Sequence, residues 1–160
     1  MPTITFETKI AAPIARVFDL ARSIDLHLIT SRSLKEKVIK GRKSGLISQG
    51  EIVGWQVYLH GIPYRITSKI TAMNIPACFT DVQISGPFAY FEHQHYFYCE
   101  GDKTRMKDVF KFASPLGFLG KSIDYFFLTK LLHNYLFKRN MAIKYYAEND
   151  EKWMQLLNIY

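Results

Sequence analysis

Between residues 37 and 113 the hydrophobic period of the chain changes from 3.6 to two, and this stretch narrows the fold more than any other feature. Val53, Trp55, Val57 and Leu59 alternate with Gly54, Gln56, Tyr58 and His60, and Tyr64, Ile66, Ser68 and Ile70 alternate with Arg65, Thr67, Lys69 and Thr71. Alternation of this kind is the mark of half-buried strands. Further strands are predicted near 78–85, 90–99 and 104–113. The separators are turn chemistry: His60-Gly61-Ile62-Pro63, Asn74-Ile75-Pro76, Gly86-Pro87 and Gly101-Asp102. A parallel crossover needs about a dozen residues or more, so these short separators favour an antiparallel meander.

The flanks are different. Residues 3–10 alternate and predict a strand. Pro13 suits the first turn of a helix that continues through Ile14, Val17, Phe18 and Ala21, and a second short helix begins near Asp25, whose carboxylate can cap free N–H groups. From about Leu119 to Asn149 the pattern predicts one long helix, with no Gly or Pro after Gly120. Its apolar residues nearly encircle the axis between Ile123 and Phe137, which implies burial on more than one side. One side fits the concavity of a sheet; a subunit interface, a membrane-facing surface or a mobile lid would account for the other. Strand, two short helices, antiparallel strands and a long C-terminal helix make an α+β domain. The expected form is a curved antiparallel sheet of six to seven strands wrapped around that helix, in one domain spanning residues 1–160. A gap at the mouth of such a wrap is where a ligand would sit.

Bulk properties remove other classes. A chain of 160 residues with 48% hydrophobic and 22% charged residues is an ordinary single globular domain. The 15% aromatic content is high and suits a concave apolar site. The net charge of +7 raises nucleic acid, an anionic membrane or an anionic ligand as partners. The densest basic run, Arg32, Lys35, Lys37, Lys40, Arg42 and Lys43, alternates with apolar residues and contains Glu36, the pattern of a solvated face. No nucleic-acid motif is present, so nucleic acid is not expected as a partner; transient contact with an anionic membrane stays open, as do monomer and homodimer. Cys78 and Cys99 have neither the spacing of a disulfide scaffold nor that of a structural zinc site. The N-terminal residues lack a secretory pattern. The apolar stretch 116–137 carries Lys121, Asp124, Lys130 and His133, and charges cost about 2.5–3.5 kcal/mol each at a bilayer centre, which argues against a membrane span. A cytoplasmic protein is the expectation.

The most informative segment is the hairpin of residues 90–99 and 104–113. A two-residue Gly101-Asp102 loop sets Glu100 opposite Lys103. Counting back, Cys99 faces Thr104, Phe97 faces Met106, His95 faces Asp108, His93 faces Phe110 and Phe91 faces Phe112. These ten side chains share one face because side-chain direction has period two. The opposite face carries Glu92, Gln94, Arg105, Lys107 and Lys111, a solvated set, so the aromatic face points inward and takes His93, His95 and Asp108 with it. A carboxylate in an apolar interior requires a partner, and His95 stands directly across from Asp108, which predicts a hydrogen-bonded pair. With like parity through Gly86-Pro87-Phe88, Asp81 and Gln83 also face inward.

Four roles are open for this polar wall: a satisfied network that holds strand register, orientation of a ligand's polar group, acid–base catalysis by His95 with Asp108 fixing its tautomer, and metal binding by His93, His95 and Asp108. His-x-His on a strand is a short, unspecific metal signal, so no metal and no cofactor is assigned. The candidate ligand-binding residues are Trp55, Asp81, Gln83, Phe91, His93, His95, Phe97, Met106, Asp108, Phe110 and Phe112. His95 and Asp108 are the catalytic candidates if the protein is an enzyme.

The segment FTDVQISGPFAYFEHQHYF (Phe79 to Phe97), followed by GDKTRMKDVFKFASPLG (Gly101 to Gly117), resembles the START/polyketide-cyclase (SRPBCC, helix-grip) superfamily, and within it a bacterial ligand-binding-like branch. Phe79, Asp81, Gln83, Gly86, Pro87, Phe88, His93, His95, Phe97, Thr104, Asp108, Pro115 and Gly117 carry the pattern, Phe91 stands where that branch usually has Trp, and FETKIAAPIARVFDLARSIDLH resembles the opening strand and helix pair. The resemblance implies a helix-grip fold and binding or transport of a small hydrophobic ligand, a lipid or an aromatic metabolite, in an internal cavity. The alternative it implies is a cyclase/dehydratase-type enzyme using the same cavity. One scaffold hosts both, so the fold does not choose the chemistry.

Overall fold

The structure is a computed structural model and describes residues 1–59, 61–114 and 128–157. The order of elements is β1 (Thr3–Ile10), α1 (Ile14–Ala21), α2 (Ile24–Thr30), a 3-10 turn (Arg32–Leu34), β2 (Lys37–Gly41), β3 (Ile52–Leu59), β4 (Ile62–Asn74), β5 (Cys78–Ser85), β6 (Tyr90–Glu100), β7 (Lys103–Ala113), α3 (Thr129–Ala147) and α4 (Asp150–Leu157). The sheet has seven strands in the order β1-β7-β6-β5-β4-β3-β2, and all neighbours are antiparallel. β2 to β7 form the meander, and β1 closes the far edge against β7. The predicted α+β architecture is therefore the observed one. Register shifts between Val38 and Lys40, Thr67 and Ser68, and Ile70 and Ala72 mark the places where the sheet bends.

The hairpin register is the predicted one, from Glu100 opposite Lys103 to Phe91 opposite Phe112. Gly101 takes φ +70° at the first loop position while Asp102 does not enter the left-handed region, the pattern of a type II′ turn. A Cβ on Gly101 would meet nothing within 4 Å, so backbone strain alone opposes a side chain there. Gly101→Ala is expected to cost about 1–2 kcal/mol in chemical denaturation without changing the fold. Cys99, predicted to face inward, is exposed beside the turn, although Thr104 opposite it is buried.

Local chemistry differs from expectation at the helix starts. Pro13 is the N-cap of α1 rather than a first-turn residue. α2 is capped by Ser23, whose Oγ accepts from the Leu26 N–H at 3.2 Å. Asp25, the predicted cap, lies in the first turn and accepts from the Gly45 N–H at 2.7 Å, tying α2 to the loop before β3. β4 begins at Ile62 and includes Pro63, two residues predicted as turn; His60 lies outside the described residues.

Packing follows the amphipathic pattern. α1 buries Val17, Phe18, Leu20 and Ala21, and Phe18 meets Phe79 and Phe97 edge-on at 5.6 and 5.3 Å. α3 lays Leu136, Asn140, Ile143 and Ala147 on the sheet, one row at steps of four, three and four. Phe137, Met141 and Tyr145 are exposed on its other side, so the described part of the helix is buried on one side and not on two. The predicted helical residues 119–127 lie outside the described residues. α3 is tied down by Arg139, which donates to the Ala21 carbonyl at 2.6 Å, and by Lys144, which donates to the Lys9 carbonyl at 2.6 Å. α4 was not predicted; it docks through Trp153, which stacks under the Arg16 guanidinium at 4.4 Å. All six residues of the basic run between Arg32 and Lys43 are exposed. Among the described residues no helix is long and apolar enough to cross a membrane.

Candidate functional site

The concave face of the sheet, α2 and α3 line a partly open cavity of about 270 Å³. Its walls are mainly apolar, with Trp55, Phe79, Phe88, Phe91, Phe110 and Leu132 among them. Two hydrogen-bonded clusters of polar side chains stand at its wall.

The first is the wall read from the hairpin. Asp81 on β5 stands opposite His93 on β6, and His95 stands opposite Asp108 on β7. His93, His95 and Asp108 are 3%, 1% and 1% exposed, confirming that the face turns inward. The pairing differs in detail from the expected one. The Asp108 Oδ1 accepts from His93 Nε2 at 3.0 Å, along the diagonal. His95 Nδ1 approaches the same oxygen at 2.7 Å, an ion-pair distance at an angle too poor for a hydrogen bond. His95 Nε2 instead bonds Asp81 Oδ1 at 3.3 Å. Both imidazoles therefore lie between two carboxylates, with their ring centroids 3.8 Å apart. Behind them Asn140 of α3 donates to Asp108 Oδ2 at 2.7 Å, a bond between helix and sheet.

Burial and charge compete at each group. Burial and the charge on His95 push His93 down to about 4, against the pull of Asp108 and Asp81. Burial also opposes charge on His95, but its two carboxylate neighbours outweigh burial and raise its value. Burial pushes Asp108 up, yet His93 and His95 hold it far below the usual carboxylate range. Asp81 is lowered for the same reason, burial being outweighed by His95, His93 and Arg139. A proton on the cluster is thus favoured on His95 over His93, and both carboxylates are held toward their charged forms.

The second polar place is built by elements distant in sequence. His27 of α2 stacks on Trp55 at 4.2 Å, and its Nε2 is shared by Glu36 Oε2 at 3.1 Å and the Tyr135 hydroxyl at 3.0 Å. Burial pushes Glu36 up, but His27, Ser31 and Arg139 bring it below its ordinary value. Burial, with Glu36 and Asp81 nearby, raises the Tyr135 phenol well above its own. Arg139 also lines the cavity and is the cation felt by both polar places.

The predicted site residues divide into layers. Trp55, Asp81, Phe91, His93 and Phe110 line the cavity. His95 is covered by Phe79, stacked at 4.1 Å, and with Asp108 forms the layer behind the lining. Phe97 and Met106 pack in the core beneath α1, and Phe112 packs against Phe88. Gln83 braces the turn after β5, donating to the Phe88 carbonyl at 2.8 Å and accepting from the Phe88 N–H at 3.4 Å. His27, Glu36, Tyr135, Arg139 and Asn140 were missed by sequence reasoning. Asn140 carried a usable signal: it shares the row of Leu136, Ile143 and Ala147, where a polar residue must face the core. Glu36 carried the opposite signal, since its basic neighbours marked the segment as solvated.

No family model matches the chain, and no curated protein matches it either. Solved structures do. An aromatase/cyclase, ZhuI, from Streptomyces sp. R1128 superposes with a TM-score of 0.72 at 14% identity, covering 92% of this chain and 93% of that one. A START superfamily protein from Mycobacterium smegmatis matches with a TM-score of 0.68 at 14% identity over 91% and 97% of the two chains. Major latex-like protein 151 from Panax ginseng matches with a TM-score of 0.67 at 13% identity over 92% and 98%. The likeness spans each chain almost from end to end and is one of fold. The chain adopts the helix-grip fold that these solved structures share.

Proposed function

We propose that the protein binds a small, mostly apolar ligand, a lipid fragment or an aromatic metabolite, inside the cavity between the sheet and α3. The observation that carries this reading is a partly open space of about 270 Å³ with aromatic walls and two hydrogen-bonded clusters of polar residues. That volume lies near the lower end of the range for small-molecule sites, about 300–1,000 Å³. Burial of about 100 Å² of ligand apolar surface contributes about 2.5 kcal/mol, so the walls supply affinity while Asp81 and His93 on one side, and His27 and Tyr135 on the other, orient a polar group.

Native mass spectrometry of the protein as purified from its source is expected to detect a co-purifying small molecule. A fluorescent apolar probe such as anilinonaphthalene sulfonate supplies a second readout. Val57 lines the cavity and is 8% exposed, so Val57→Trp directs a large ring into the space. The variant is expected to weaken probe binding about tenfold or more with circular dichroism unchanged. Equal probe binding by a folded Val57→Trp protein contradicts the proposal.

A cyclase/dehydratase-type activity is the second reading. Layering favours His93 and Asp81 as the groups that would meet a substrate, with His95 and Asp108 as positioning residues behind them. Under that reading His93→Gln removes turnover while probe affinity is retained.

A further inference from the structure

We infer that Asp81, His93 and His95 form a binding site for one divalent transition-metal ion at the polar end of the cavity. Each of these residues offers one ligand atom, and the three atoms lie within 4.8 Å of one another. Asp81 Oδ1 is 4.0 Å from His93 Nδ1 and 3.3 Å from His95 Nε2. With metal–ligand bonds of about 2.0–2.2 Å, neighbouring donors are separated by about 3.0 Å in an octahedral site and about 3.4 Å in a tetrahedral one. The observed spacings need adjustments of an ångström or so, which side-chain torsions supply.

A stronger reason is the arrangement on the far side of the rings. A histidine that ligates a metal through one nitrogen characteristically presents the other to a carboxylate, which fixes the tautomer and aims the lone pair. Asp108 Oδ1 accepts a hydrogen bond from the outer nitrogen of His93, Nε2, at 3.0 Å and lies 2.7 Å from that of His95, Nδ1, as a charge contact off the hydrogen-bond angle. Asp108 is itself held by Asn140 at 2.7 Å. A buried carboxylate hydrogen-bonded to the outer nitrogen of His93 and set against that of His95 leaves their inner nitrogens, Nδ1 of His93 and Nε2 of His95, on the side of Asp81. The ion therefore belongs between the histidines and Asp81, and Asp108, a ligand candidate on sequence grounds, is the residue that positions them.

Two imidazole nitrogens and one carboxylate oxygen select a borderline first-row ion such as Zn²⁺, Co²⁺ or Fe²⁺ over Ca²⁺ or Mg²⁺, which take all-oxygen shells. Asp81 and His93 line the cavity, so the remaining coordination positions open onto it. A cavity ligand with an oxygen or nitrogen donor would complete the shell. This departs from the sequence expectation of no metal, and it rests on the cavity only for where the open positions point.

The test uses the full chain, stripped with a chelator and titrated with Co²⁺ and Zn²⁺, in a background where Cys78→Ala and Cys99→Ala remove thiol ligands. One Co²⁺ per chain is expected, with visible d–d absorption and with the exchangeable imidazole N–H resonances of His93 and His95 shifted far outside the diamagnetic range. Asp81→Asn and His93→Gln are each expected to weaken Co²⁺ at least about 100-fold. Asp81 is the decisive position, because its side chain is 17% exposed and asparagine preserves its shape. Less than stoichiometric binding, or equal binding by a folded Asp81→Asn protein, overturns the inference. Probe binding is read in parallel: metal failure with probe binding intact defeats the metal site alone, and stoichiometric metal without probe binding defeats the apolar-ligand reading alone.

Discussion

Asp108→Ala is expected to lower stability by about 3–5 kcal/mol, the largest effect of any single substitution considered for this protein. Asp108 is 1% exposed, accepts from His93 and from Asn140, and lies 2.7 Å from His95. Alanine leaves the His93 N–H and the Asn140 amide N–H without their shared acceptor, and removes the anion beside His95, in a dry interior. Breaking a buried ion pair by removing one partner costs about 3–5 kcal/mol, because the desolvation of the remaining charge is no longer offset. Asn140→Leu is expected to cost less, about 1–3 kcal/mol, since it removes one donor and leaves the carboxylate its two histidines. The two losses should not add: with Asp108 gone, the Asn140 amide has nothing left to bond, and a double-mutant cycle should show coupling of about 1 kcal/mol or more. Urea unfolding followed by circular dichroism measures all four species. A cost below about 1 kcal/mol for Asp108→Ala would show that the cluster is not held together as described.

Stability of the metal-free protein is expected to peak near pH 6.5 and to fall on both sides, for different reasons. His93 has its folded value lowered to about 4, so below about 6.5 the unfolded chain takes up a proton that the folded imidazole refuses. Stability therefore falls as the pH drops from 6.5 toward 4, by about 3 kcal/mol in all. His95 has the opposite sign. Its folded value is raised, so its contribution is complete below 6.5 and is lost as the pH rises through the raised value. Asp81, Asp108 and Glu36 are lowered, and their contributions, present above the ordinary carboxylate range, disappear as the pH falls below it. Urea midpoints measured across pH 4–9 should show the two limbs. His93→Gln is expected to flatten the acid limb between 6.5 and 4, and His95→Gln the limb above 6.5. A protein that keeps gaining stability as the pH falls from 6.5 to 5 contradicts the assignment of His93 as the neutral imidazole.

The two assignments depend on position within the cluster rather than on residue type. His93 and His95 are neighbours on one strand, face the same way and touch the same oxygen of Asp108. They diverge because His95 has a second carboxylate at 3.3 Å, whereas His93 has Asp81 only at 4.0 Å and feels the charge of His95. When two adjacent titrating groups share a carboxylate, one takes the proton and suppresses the other.

The sheet and the hairpin were legible because strand geometry is a local rule. Period two, together with a two-residue loop, is enough to decide which side chains oppose one another and which face is buried. That logic carried His93, His95 and Asp108 inward and set His95 across from Asp108. It could not say which imidazole nitrogen meets which oxygen, since that depends on side-chain torsions and on how closely the neighbouring strand approaches. The cross-strand partner expected to bond Asp108 makes only an off-angle contact, and the diagonal neighbour makes the hydrogen bond.

What the amino-acid order determined alone is the antiparallel meander, its inward aromatic face and the presence there of two imidazoles and a carboxylate. Tertiary structure alone decided the depth of each group: Asp81 and His93 at the cavity surface, His95 and Asp108 one layer behind, and Gln83 turned away to brace a loop. It alone also assembled the second polar place, since His27, Glu36 and Tyr135 come from α2, the segment before β2 and α3, with His27 and Tyr135 108 positions apart. The physical reason is range. Side-chain alternation and turn chemistry act over a few residues and can be read along the chain, whereas burial depth and hydrogen-bond partnership arise only when distant segments pack together and exclude water.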